Sequence, residues 1–317
     1  MRLLFTQHLL VTLCLMIGFT SCANAQSALY NAANNYLKKR ADAFMTITGY
    51  SLTPDVTTGS LSIRNKDGDN SDLQMISLGG GDRISANFPL YLEGTIAVNR
   101  YNPNFTDGIG NSSVTVPVHW NSVTGTGGIG WDFPITNELR FRPIANVMLG
   151  HLESDLSIAS RVIQNRTGAD IQFLNGGRMN SYGLGGSVML DYENYKPDQE
   201  IDVELRYTNI PVQTFDTSTA VQGSADSQSL ALWARSRIPT PITLLDRPLR
   251  AVFELAHTEF LGDLRGALGF NSLSSVGTGF ELDRSASDPI FTRVRLVFRY
   301  QFGQNVHGTS IGLAASF

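Results

Sequence analysis

Arg293-Val294-Arg295-Leu296-Val297-Phe298-Arg299-Tyr300-Gln301-Phe302 places Val294, Leu296, Phe298, Tyr300 and Phe302 on one side of an extended chain. Arg293, Arg295, Arg299 and Gln301 fall on the other. Successive side chains of a β-strand point to opposite faces, so this stretch reads as a strand with one apolar and one basic face. After a short link, Thr309, Ile311, Leu313, Ala315 and Phe317 alternate with Ser310, Gly312, Ala314 and Ser316.

The same period of two recurs upstream. Leu139, Phe141, Ala145, Val147 and Leu149 oppose Glu138, Arg140, Arg142 and Asn146, and Ile201, Val203, Leu205 and Tyr207 oppose Asp202, Glu204, Arg206 and Thr208. Twelve such segments can be counted: 57–64, 72–79, 87–101, 114–133 with an irregularity near Gly125, 138–151, 180–194, 199–213, 225–238, 248–262, 270–283, 291–303 and 306–317. Segments near ten residues long are the expected length for a strand that crosses a membrane at a tilt. Trp120, Trp131, Phe133, Tyr192, Tyr195, Tyr300 and Phe302 cluster at segment ends, where an interfacial girdle would sit. A soluble β-sandwich is the competing reading; it would bury the apolar face and put the charges in water. The strand length and the aromatic placement favour an all-β transmembrane antiparallel barrel of about twelve strands.

Links after odd-numbered segments run long, as in 102–113 and 152–179, whereas 134–137 and 195–198 are tight, with 239–247 and 303–305 as exceptions. Outer-membrane barrels keep short turns in the periplasm and long loops outside, which puts both ends of the barrel on the periplasmic side.

The front of the chain reads as an address. Arg2, an apolar run over 9–19 and Ala23-Asn24-Ala25 fit a signal peptide cleaved after Ala25. The run is too short to remain as a membrane helix. Phe19-Thr20-Ser21-Cys22 is the alternative, a lipoprotein signal, for which Phe19 is a poor fit. Cleavage after Ala25 removes both cysteines, Cys14 and Cys22, so disulfide chemistry is excluded from the 292 residues that remain of 317. With Arg2 gone, 23 basic residues face 28 acidic ones, a net charge of about −5, and no basic patch argues for nucleic acid.

Between signal and barrel, 27–47 holds neither Gly nor Pro, and Leu29, Ala33, Leu37 and Ala41 recur every four residues. This spacing predicts an amphipathic helix. About 20 residues at about 1.5 Å each reach about 30 Å, the thickness of the hydrocarbon core. Such a helix is long enough to thread the lumen, where Lys38, Lys39, Arg40 and Asp42 would meet carboxylates such as Glu93, Glu204 and Glu254. Lying on the periplasmic surface is the other placement. The expected organisation is 1–25 signal peptide, 26–52 helix or plug, and 53–317 barrel.

Taken together, these features resemble the translocator domain of autotransporters. Asn34-Asn35-Tyr36-Leu37-Lys38-Lys39-Arg40-Ala41-Asp42 looks like the linker helix of serine-protease autotransporters, an asparagine pair followed by a basic pair and an acid. In that family the pair is cut inside the pore by cyclisation of the first asparagine, which the resemblance would assign to Asn34 and Asn35. Here cutting would release only 26–34, too little to be a passenger, so the chain resembles a solitary autotransporter-type barrel. Two polar helix residues in a wet lumen are the blander account of the pair. The resemblance implies a Gram-negative outer-membrane protein, a monomer in lipid. Barrel assembly machinery and periplasmic chaperones would receive it, with Phe317 as the C-terminal assembly signal. A structural or transport role without enzymatic activity or cofactor is expected. A small porin-like channel is the alternative, and an outer-membrane rim hydrolase the third reading.

No metal-ligand spacing joins His119, His151, His257 and His307. His151-Leu152-Glu153-Ser154, at the head of a long loop, is the one seed for a nucleophile site, although any barrel rim collects such residues. Gly125-Thr126-Gly127-Gly128-Ile129-Gly130 matches GxGxxG by count only, because Trp131-Asp132-Phe133-Pro134 continues extended where a phosphate site needs a helix. Clustered glycines in a barrel strand instead allow bending or leave room for a plug. Asp67-Gly68-Asp69-Asn70-Ser71-Asp72 lacks the closing glutamate of a calcium loop and reads as a solvated turn. No metal is expected. The lumenal set is Arg140, Arg142, Arg206, Arg293, Arg295 and Arg299 with Glu93, Glu138, Asp191, Glu204 and Glu254. It reads as charges paired with one another or with a plug, the alternative being a pore whose arginine ring favours anions.

Overall fold

A sheet whose strands alternate in this way has to satisfy every backbone N–H and C=O along its edges, and here it does so by closing on itself. The structure, a computed structural model, describes residues 56–64, 70–85, 88–103, 107–109, 112–114, 119–155, 178–216, 224–267, 269–283 and 293–316. The signal segment, the expected 26–52 helix with Asn34, Asn35, Lys38, Lys39, Arg40 and Asp42, residues 65–69 and Phe317 lie outside the described residues; of the expected 67–72 turn, Asn70, Ser71 and Asp72 instead begin a strand paired with residues 62–64.

The strands are β1 (Val56–Arg64), β2 (Asn70–Ser85), β3 (Phe88–Pro103), β4 (Asp107–Ile109), β5 (Ser112–Val114), β6 (Trp120–Trp131), β7 (Phe133–Pro134), β8 (Leu139–Ser154), β9 (Arg178–Tyr195), β10 (Glu200–Phe215), β11 (Ser224–Leu244), β12 (Arg247–Gly262), β13 (Ser272–Asp283), β14 (Arg293–Gly303) and β15 (Val306–Ser316). Each consecutive long pair is antiparallel. β1 pairs with β15, as in Thr58↔Ile311, and β6 pairs with both β3 and β8, as in Gly94↔Gly127 and Gly127↔Val147. Every long strand therefore has a neighbour on each side, and the ring has no exposed edge. The β4–β5 hairpin stands apart from the ring.

Register carries the alternation around the whole ring. The row Thr58, Ile76, Val98, Val123 is set by direct pairings, as is Leu205, Leu232 farther round. Ile76, Val98, Val123, Leu184, Leu205, Leu255, Phe298 and Ile311, from eight different strands, are all exposed on the outer wall. Aromatics flank this apolar wall. Phe88 meets Trp131 edge-on at 5.6 Å, and Phe133 lies 6.4 Å from Phe141, at the short-turn end. At the opposite end Tyr182 meets Phe215 at 5.9 Å and Tyr300 stacks on Phe302 at 6.0 Å.

The inner face has two layers. At the end of the longer links, Leu73, Tyr101, Trp120, Met148, Leu152, Met179, Ile210, Val212, Phe260, Phe270 and Leu273 belong to one buried apolar cluster. Toward the short-turn end most inward positions are polar and charged, interleaved with a small buried group of Tyr91, Ile144 and Met189. Each fully buried Leu or Met side chain contributes about 1.5–3 kcal/mol relative to exposure, so the apolar layer is a packed core in its own right.

Four expectations are corrected. Trp120 is 2% exposed and packs in the lumenal cluster rather than in a girdle, because it begins β6 on the inward parity. Gly125 is no irregularity: it pairs with Ile96 and with Leu149 in unbroken register, and the break falls at Asp132, between β6 and β7. Val114, expected to open the fourth long strand, belongs to the separate hairpin, and that strand begins at Trp120. The 239–247 link is mostly strand: β11 runs on to Leu244 through a register shift between Pro239 and Thr243. The turn itself is Leu245-Asp246, both at positive φ (53° and 59°), as a type I′ hairpin requires.

Candidate functional site

The charged layer is built from inward positions whose space comes from glycine. A Cβ on Gly128 would lie 2.6 Å from both Glu93 Oε1 and Asn146 Nδ2, so any larger residue there would have to push the Glu93 carboxylate or the Asn146 amide aside. Arg206 reaches this carboxylate from β10, which β6, β8 and β9 separate from β3 in the ring. Its Nη1 donates to Glu93 Oε2 at 2.8 Å and its Nη2 to Oε1 at 2.7 Å. Asn146 Nδ2 donates to the same carboxylate at 2.7 Å, and Arg206 also donates to Ser187 at 2.9 Å and Thr208 at 3.1 Å. The pair thus crosses the lumen as a fork with its remaining hydrogen bonds supplied.

Arg142 forms a second knot. It bonds Asp132, through its Nε and through Nη2 at 3.0 Å, and Asp191 at 2.9 Å, while its guanidinium lies 3.9 Å from the Tyr91 ring centroid. The chain break at Asp132 is what turns that carboxylate inward: it is buried, and its backbone N donates to Pro89 O at 2.9 Å.

A third group spans β10 to β14. Glu200 receives Arg293 Nη1 at 2.7 Å and also binds Arg250 and, at 3.3 Å, Arg237. Asp202 accepts two bonds from Arg237 Nη2 at 2.8 and 3.0 Å. Glu254 lies between Arg235 Nε at 2.8 Å and Arg299 Nε at 2.7 Å. Glu281, fully buried, accepts from Arg295 at 3.2 Å.

Of the residues singled out from sequence, Glu93 and Arg206 are thus brought together, as are Glu254 and Arg299. Arg142 likewise meets Asp191, and Arg295 lies 4.0 Å from Glu254, while Arg293 finds its carboxylates outside the set, on Glu200 and Glu281. Arg140 bonds Glu193 nearer the rim, half-way out of the layer. Glu204 sits between Asp202 and Arg206 on the inward parity of β10. Sequence reading missed Asp132, Glu200, Arg235, Arg237, Arg250 and Glu281 as partners. The parity of Arg235 and Arg237 in Trp233-Ala234-Arg235-Ser236-Arg237 was the available signal for two of them.

Each guanidinium of this layer lies against at least one carboxylate, so positive charge is neutralised where it arises. Burying such groups alone would cost several kcal/mol per ion, and pairing with added hydrogen bonds offsets this. The layer can hold the walls together and restrict passage; it offers no run of one sign along which an ion would be drawn. Among the described residues no group of three or more His, Cys, Asp or Glu could hold a metal. The His151 seed loses its nucleophile: His151 points outward, with Nδ1 2.7 Å from Asn180 Oδ1 and Nε2 4.0 Å from Glu153, while Ser154 is buried in the lumen.

Apolar along its outer wall, charged over part of its interior and closed around, the chain is of the membrane-spanning β-barrel class, since in lipid only closure satisfies the backbone of every strand. No protein-family model matches it, and no curated protein does. Among solved structures, the β domain of the Bordetella autotransporter BrkA is similar at 10% identity and TM-score 0.47, over 82% of this chain and 98% of that one. The transport unit of the autotransporter AIDA-I from Escherichia coli is similar at 13% identity and TM-score 0.45, over 82% and 88%. LpxR from Salmonella typhimurium is similar at 13% identity and TM-score 0.41, over 82% and 99%. Likenesses this distant decide neither family nor activity.

Proposed function

We propose that this is a Gram-negative outer-membrane barrel of the translocator type, with a lumen held shut by its own side chains and a structural or transport role. The observation that supports it best is the Glu93–Arg206 fork across the lumen beneath a packed apolar cluster. A solute channel would instead leave its charges facing water along an open path. In this reading the signal is removed after Ala25, the 26–52 helix adds to the seal through Lys38, Lys39, Arg40 and Asp42, and the Phe317 end directs assembly. The lumen carries no catalytic function.

Planar-bilayer recording tests it. The intact protein is expected to give at most brief, small openings, and deletion of 26–52 to raise their frequency. Steady large conductance from the intact protein would establish the porin-like alternative and end this proposal.

A further inference from the structure

The outer wall carries a constellation that the lumenal reading does not use. On β12, His257 and Glu259 are two residues apart and so share the outward face; register sets His257 directly opposite Ser274 on β13. His257 Nδ1 lies 2.8 Å from Ser274 Oγ, and Nε2 lies 3.1 Å from Glu259 Oε1. Hydroxyl, imidazole and carboxylate in hydrogen-bonded series are the parts of an activated serine nucleophile: a base to take its proton and an acid to hold the base in one tautomer.

Position decides what could reach it. His257 and Glu259 have side chains 47% and 43% exposed. Leu232 and Phe302 stand beside His257 and Ser274 in the same row, by the pairings Leu232↔His257 and Ser274↔Phe302. One row toward the middle of the barrel come Leu255, Val276 and Tyr300, joined by Leu255↔Val276↔Tyr300 and all exposed. The site therefore sits just above the apolar belt, at the height of the stacked Tyr300–Phe302 pair, where water meets hydrocarbon. A membrane lipid presents its ester groups at that level, with its acyl chain lying along Leu255 and Val276.

We propose that Ser274, His257 and Glu259 form an esterase site on the lipid-facing wall, acting on acyl esters of the surrounding leaflet. Ser274 Oγ bonds to the acyl carbonyl carbon as its proton passes to His257. The ester C–O bond then breaks, and that proton goes to the departing alcohol oxygen, leaving an acylated Ser274. Water repeats the exchange through His257, releasing the fatty acid and restoring the Ser274 hydroxyl. Glu259 fixes the His257 tautomer and offsets the charge of the protonated ring. This departs from the expectation of a barrel without enzymatic activity and moves the rim-hydrolase alternative away from His151.

The full-length protein in phospholipid–detergent micelles tests it, with a fluorophosphonate to report an activated serine and fatty-acid release to report turnover. Heat-modifiable gel migration shows that each variant is folded. Labelling is expected at Ser274. Ser274→Ala and His257→Ala should each lower turnover by about 100-fold or more, the range for loss of a positioned base. Glu259→Gln should lower it less, and His151→Ala, an outward histidine paired with an asparagine, should leave it unchanged. A folded protein that neither labels nor releases fatty acid overturns the proposal, as does turnover that survives Ser274→Ala. Because these residues lie on the outer wall, the variants should leave conductance unchanged, so this outcome is separate from that of the sealed-lumen reading.

Discussion

Replacing Arg206 by methionine removes the central strut of the lumenal layer while keeping most of the side-chain volume. The wild-type guanidinium makes two bonds to Glu93, at 2.7 and 2.8 Å, and both side chains are only 10% exposed. Without it, the Glu93 carboxylate keeps Asn146 and Tyr91 as donors but loses its counter-charge. Breaking a buried pair in this one-sided way typically costs about 3–5 kcal/mol, because an uncompensated charge is left behind. Removing both charges costs far less, so Glu93→Gln with Arg206→Met should recover about 2 kcal/mol or more of that loss. Urea unfolding of the refolded protein in detergent or lipid vesicles, followed by tryptophan fluorescence and gel mobility, measures both. A single-variant cost below about 1 kcal/mol, or a double variant that loses the sum of the singles, would refute the reasoning. Either result would mean that the pair is solvated by water in an open pore.

Leu184, exposed in mid-strand on the outer wall, should tolerate arginine poorly, with a loss of about 2–4 kcal/mol in lipid. The same change at Leu245, in the β11–β12 turn, should cost under about 0.5 kcal/mol by the same unfolding assay. Gly128→Val should displace Glu93 and lower stability to a degree comparable with Arg206→Met, whereas Gly125→Ala, with nothing within 4 Å of the added Cβ, should be near neutral. Leu152→Ala, in the fully buried apolar cluster, should cost about 2–5 kcal/mol and raise the frequency of small openings in bilayer recordings.

Much of the fold was legible because a strand's side-chain period is two and does not depend on its neighbours. Val294 to Phe302 assigns its own faces whatever it pairs with, and the same holds for Leu139–Leu149 and Ile201–Tyr207. The hairpin at Leu245-Asp246 was less legible. The 239–247 stretch reads as a link, yet a register shift lets β11 continue past Pro239 to Leu244. The end of β2 was blurred in the same way: the reading stops at Gly79, and pairing with β3 carries the strand on through Gly80 and Gly81 to Ser85.

Alternation along single strands determined that this chain has one face for an apolar solvent and one for charge, and which residues occupy each. Only the tertiary structure decided who meets whom. Arg206 and Glu93 are 113 positions apart and meet because closure brings β10 across from β3. Trp120 faces inward because of the parity on which β6 begins, and Ser274 comes opposite His257 through the register of β13 on β12. Facing is a local property of an extended backbone, whereas partnership depends on register and ring closure, which are set by all twelve long strands together.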